Sequence, residues 1–104
     1  MMTAYYAYIN LPDGQRLTMR GVVHRPGHIH FGPTRGYSLR LVYIPDRGMW
    51  KGTVEGPSGK YGLVGKYREA KSGVTYIHAW NPAAPGDFRP TVDLFPLGYR
   101  RARA

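Results

Sequence analysis

Residues 4–24, AYYAYINLPDGQRLTMRGVVH, carry the strongest fold signal in the chain. They read as a β-hairpin turning through Leu11-Pro12-Asp13-Gly14. Proline presets φ, aspartate bonds its own backbone, and glycine takes the left-handed conformation that closes a three-residue loop with a bulge. Leu11 then lies opposite Gln15, Ile9 faces Leu17 and Ala7 faces Met19. Asn10 falls beside Arg16, Tyr8 beside Thr18 and Tyr6 beside Arg20. Because side chains alternate along a strand, one face of this ribbon is aliphatic and the other carries Tyr, Arg, Thr and Asn. A two-residue Asp13-Gly14 turn would pair Tyr8 with Met19 and mix the two chemistries, since a one-residue slip flips every side chain. The first register is preferred because it segregates them.

Outward from this hairpin the chain keeps the same character. Fourteen glycines and nine prolines cut it into strand-length pieces, and no window has helical period with caps. After a break at Arg25-Pro26-Gly27 comes a short segment, His28 to Phe31, then a turn through residues 32–36. A second hairpin spans residues 37–55 around Pro45-Asp46-Arg47-Gly48. Its core face is Tyr37, Leu39, Leu41, Tyr43, Trp50 and Val54; Arg40, Lys51 and Thr53 lie outside with Val42, Ile44 and Met49. Gly56-Pro57-Ser58-Gly59 opens a third hairpin, residues 60–80, turning at Ala70-Lys71-Ser72-Gly73. Here Tyr61, Leu63, Tyr67, Val74, Tyr76, His78 and Trp80 are assigned to one face. Lys60, Lys66, Arg68 and Thr75 are assigned to the other, with Val64 and Ile77. Residues 81–90 are irregular, and residues 91–95 form a last strand whose end Pro96 confines to a sheet edge.

These pieces predict an all-β fold: an antiparallel meander of six or seven strands curled into a partly open barrel, with a β-sandwich as the alternative. One domain over residues 1–98 is followed by a basic, flexible tail, residues 99–104. Without cysteine there is neither a disulfide frame nor a thiolate metal site. No signal peptide or membrane-length apolar run is present, so the expected setting is cytoplasmic or virion-associated, with no membrane partner.

Net charge is +9, from 15 Lys and Arg against 6 Asp and Glu. Asp13, Asp46 and Asp87 fall in turns and loops, which leaves the strand surfaces more positive than the average. Arginine outnumbers lysine, favouring planar contact with phosphate or carboxylate, although base composition of a genome produces the same excess. Cations with interleaved rings point to a nucleic-acid partner, more readily a single strand of DNA or RNA than a duplex, because no recognition helix is predicted. Tyr6 and Tyr8 are the expected stacking residues; Arg16, Arg20, Arg40, Lys51, Lys66 and Arg68 the phosphate partners; and Arg100, Arg101 and Arg103 a mobile electrostatic arm. No catalytic residue and no cofactor is called for.

Two rival readings stand beside this one. Val42, Ile44, Met49 and Val64 outside the core suit a protein partner or homo-oligomer, as in a viral or phage structural protein or an inhibitor. His24, His28 and His30 form a weak candidate metal set, with His78 a possible fourth ligand. His28 or His30 with His78, Glu69 and Arg68 would suit a metal-independent ribonuclease if the sheet gathered them. The glycine run from Gly56 to Lys66 is not a P-loop, because neither Lys60 nor Lys66 has the required glycine upstream or Ser/Thr downstream.

Overall fold

A computed structural model describes residues 3–83 and 90–96. Eight strands make up almost all of it: β1 (Thr3–Asn10), β2 (Arg16–Val23), β3 (His28–Thr34), β4 (Tyr37–Ile44), β5 (Met49–Gly56), β6 (Gly59–Glu69), β7 (Thr75–Trp80) and β8 (Thr91–Pro96). A short 3₁₀ turn, Pro45–Arg47, joins β4 to β5. The strands form one antiparallel sheet in the order β2-β1-β8-β7-β6-β5-β4-β3. Every hydrogen-bonded neighbour is a sequence neighbour except β1 and β8, whose pairing brings the two ends of the meander together. The result is a nearly closed up-and-down barrel. Among the described residues the unpaired seam lies between β2 and β3, where the Phe31 ring lies against the backbone of Gly21.

The first hairpin takes the segregating register. Ile9 pairs with Leu17, Ala7 with Met19, Tyr8 with Thr18 and Tyr6 with Arg20. Its loop is fixed by Leu11 N–H donating to Gln15 O at 2.8 Å and Gly14 N–H donating to Leu11 O at 3.0 Å. The Gln15 N–H also donates to Asp13 Oδ1 at 2.9 Å, the local bond that makes aspartate a turn residue. The second hairpin likewise places Leu39, Leu41, Trp50 and Val54 inside.

Inside the barrel, Ile9, Leu39, Leu41, Leu63, Ile77 and Leu94 are each no more than 1 % exposed, and no polar or charged side chain among the described residues is buried. Burial of such aliphatic side chains contributes about 1.5–3 kcal/mol each, and this apolar interior holds the sheet closed.

Three expectations are corrected. There are eight strands, because the segment after Gly27 runs on past a register shift to pair Thr34 with Tyr37. The return strand of the third hairpin is inverted: Ile77 and Ala79 are buried, and Tyr76, His78 and Trp80 lie outside. Its loop repeats the first hairpin's geometry, with Ala70 N–H donating to Val74 O and Gly73 N–H to Ala70 O, both at 2.8 Å. That loop pairs Tyr67 with Ile77 and Arg68 with Tyr76, one step from the assumed register. Finally, β8 is no edge strand. It lies between β1 and β7, and Pro96 is tolerated because it falls past the last β7 pair, Ile77 with Leu94.

Candidate nucleic-acid interface

The outer face of β6-β7-β8-β1-β2 is organised in three cross-strand rows. In the first, Arg68 pairs with Tyr76, Tyr76 stacks on Phe95, Phe95 pairs with Tyr6 and Tyr6 with Arg20. In the second, Lys66, His78, Asp93, Tyr8 and Thr18 follow one another across the strands. The third runs Val64, Trp80, Thr91, Asn10 and Arg16. Rings and polar groups thus fill the middle three strands, while β6 and β2 supply cations along both margins. Neighbouring strands lie about 4.8 Å apart, so the margins are separated by about 19 Å along the curved surface.

The rings hold one another in place. Tyr76 and Phe95 stack with centroids 4.6 Å apart and planes 18° from parallel. Tyr8 meets Phe95 edge-on at 5.8 Å, and Tyr6 stacks loosely on Tyr8 at 6.4 Å. His78 and Trp80 stack at 5.7 Å. Such pairs fix ring orientation at low entropic cost, because each ring has only two side-chain torsions to lose. Phe95 is buried even though it points away from the barrel interior; Tyr6, Tyr8, Tyr76 and Trp80 are half-buried.

Two polar contacts cross the centre. His78 Nδ1 and Asp93 Oδ1 are 2.6 Å apart, and Asn10 Nδ2 donates to Thr91 Oγ1 at 3.0 Å. Asp93 is the one carboxylate in the three rows. It is hydrogen-bonded to His78, with Lys66 one strand further along the row. Arg16, Arg20, Lys66 and Arg68 are all exposed. A polyanion approaching this face meets four cations and one partnered carboxylate.

Of the residues expected to act together, Tyr6, Tyr8, Arg16, Arg20, Lys66 and Arg68 share this surface. Lys51, on β5, pairs with Val64 and extends the third row by one strand. Arg40 is elsewhere: on β4 it lies beside His30 and Thr53, across the eight-stranded barrel from β8. Arg100, Arg101 and Arg103 lie outside the described residues. The histidines are dispersed. His28 and His30 are exposed on β3, His24 is exposed just after β2, and His78 is on β7, on the far side of the barrel from β3. No three His, Cys, Asp or Glu side chains among the described residues converge to hold a metal ion.

Sequence reasoning missed Tyr76, His78, Trp80 and Phe95 as members of this face. A usable signal was present, because residues 70–74 and 11–15 share the same spacing, with a glycine as the fourth of the five. Reading the same three-residue loop into both puts residues 76, 78 and 80 outside. Comparison with known protein families, with curated proteins and with solved structures gave no match, so the functional reading rests on this geometry alone.

Proposed function

We propose that this protein binds single-stranded nucleic acid on the outer face of β6-β7-β8-β1-β2, without catalysis and with little sequence preference. The observation that carries the reading is the pattern of the rows: aromatic side chains on the middle strands, bracketed by Arg68 and Lys66 on β6 and Arg20 and Arg16 on β2. Rings offer stacking surface to any unpaired base, at about 1–3 kcal/mol per base, while flanking cations displace counterions from phosphates. A duplex hides its base faces, and among the described residues this convex sheet carries no helix or projecting ribbon to enter a groove.

The test is fluorescence anisotropy of a labelled oligothymidylate across a salt series. With four phosphate contacts the slope of log affinity against log salt is expected near about −3. Arg20→Ala and Arg68→Ala should each weaken binding more than Arg40→Ala does. Tyr8→Ala and Trp80→Ala should weaken it with the slope unchanged. No binding at low salt to oligothymidylate or to mixed-sequence DNA or RNA would end the proposal.

A second reading, a protein-binding or self-associating surface, is favoured by one observation on the opposite side of the barrel. Val42 is 45 % exposed on β4, next to the outward pair Ile44 and Met49. Concentration-dependent association that ignores salt and is abolished by Val42→Lys would favour this reading.

A further inference from the structure

The described residues leave a cavity at one end of the barrel interior. Tyr5, Val23, Ile29, Tyr43, Trp50 and Tyr67, one from each of β1 to β6, line a cavity of about 240 Å³ with Pro26 and Gly27 at its lip. All six sit on the inward parity of their strands and at the same end of the meander. The Tyr43 and Trp50 rings are 5.2 Å apart, Tyr43 and Tyr67 5.9 Å, and Trp50 and Tyr67 6.1 Å, tilted by 56–71°.

The lining selects by chemistry. It contains no charged side chain, so neither an anion nor a cation would find a counter-charge there. Trp50 is 4 % exposed, and among the described residues its indole Nε1–H makes no hydrogen bond of full geometry, its one near partner being the Tyr67 hydroxyl at the rim. A buried donor without a well-formed hydrogen bond is a rarity that asks for a ligand or an ordered water. Burial raises the Tyr67 pKa above its ordinary value; the nearby Trp50 indole draws it partly back, and the phenols of Tyr5 and Tyr43 add to the rise. Three tyrosines and the Trp50 indole thus line an uncharged, ring-walled space, with Tyr67 half exposed at its mouth. Its size falls below the roughly 300–1,000 Å³ of sites for drug-sized molecules, enough for one ring system.

We propose that this cavity takes a nucleobase: a neutral, planar heterocycle with acceptor atoms on its edge, supplied by the end of a bound strand or by a free nucleoside. The strand-end form rests on the outer-face reading above. It is favoured by adjacency, because the mouth-lining Tyr5 and Tyr67 immediately precede Tyr6 and Arg68 of the first row. A strand lying along β8 brings its terminal base to the rim at this point.

Trp80→Phe leaves Trp50 as the only tryptophan, and adenosine is the probe. Saturable change in Trp50 emission is expected below about 10 mM, weakened at least about tenfold by Tyr43→Ala and by the cavity-filling Val23→Phe, each checked for native circular dichroism. In parallel, oligothymidylates ending in a normal or an abasic nucleotide are compared on the wild-type chain, where loss of the terminal base should cost about fivefold or more in affinity. Saturable quenching with no terminal-base effect assigns the site to free nucleosides. Quenching with no oligonucleotide binding retains the cavity and removes the outer-face reading. Absence of saturable quenching overturns the proposal, whatever the oligonucleotides do.

Discussion

At the scale of single residues, Asp93 and Tyr67 make the sharpest demands. Asp93 places a negative charge in the middle of a face otherwise bordered by cations, with His78 Nδ1 held 2.6 Å away. Asp93→Asn keeps a hydrogen-bonding group there and removes the charge. Affinity for oligothymidylate is expected to rise about three- to fivefold at low salt, read by anisotropy; an unchanged or lower affinity would place the polyanion elsewhere. Tyr67 carries a pKa raised chiefly by burial at the barrel mouth. A native state that holds this proton more tightly than the unfolded chain loses stability as pH climbs past the ordinary tyrosine value of about 10 and on through the raised one. The urea midpoint should therefore fall between about pH 9 and pH 11, and Tyr67→Phe should reduce that fall. A drop of equal size in the variant would assign it to other groups.

Hairpins are the elements that set which faces exist at all. The loops at residues 11–15 and 70–74 share one hydrogen-bond scheme, and Gly14 and Gly73 share nearly one conformation, at φ 87° and 85°. A Cβ added at Gly73 meets nothing within 4 Å, so any penalty of Gly73→Ala comes from the left-handed backbone and not from a clash. The expected cost is about 1–2 kcal/mol by urea denaturation, with the spectrum of the folded state retained. Asp13 has a further part in the first loop through its bond to the Gln15 N–H, so Asp13→Ala should cost about 1 kcal/mol, while Ser72→Ala in the other loop costs less. Both hairpins put aromatic residues outward next to cations for the same reason: a three-residue loop fixes parity. The first loop could be read because Pro12, Asp13 and Gly14 each have a strong turn preference. The second has only Gly73 to mark it, and the apolar look of Tyr76 and Trp80 pulled the assignment toward the core.

For the whole molecule, closure of the barrel is what gives the candidate face its composition. The β1–β8 pairing joins residues more than eighty positions apart, as in the Asn10–Thr91 bond, and carries Phe95, Asp93 and Thr91 in between the first and third hairpins. The opposite seam is held without a ladder, by Phe31 packed over Gly21. Gly21→Ala would drive a Cβ into a ring that is 2 % exposed, and is expected to cost about 1–3 kcal/mol with earlier hydrogen exchange in β2 and β3 than in β7 and β8. Uniform loss of protection would show that the seam is no weaker than the ladders. Alternation, turn chemistry and charge balance are local properties, and from them alone the chain declared its all-β class, its first two hairpins, the outward placement of Tyr6, Tyr8, Arg16 and Arg20, and its cationic surface. Strand order is not local: which strand lies beside β1, and hence that Arg68 and Lys66 border the same rings as Arg20 and Arg16 while Arg40 does not, was decided only when the sheet closed around its apolar interior. The mouth cavity belongs to that second group as well, because its walls come from six strands and no stretch of sequence holds more than a fragment of it.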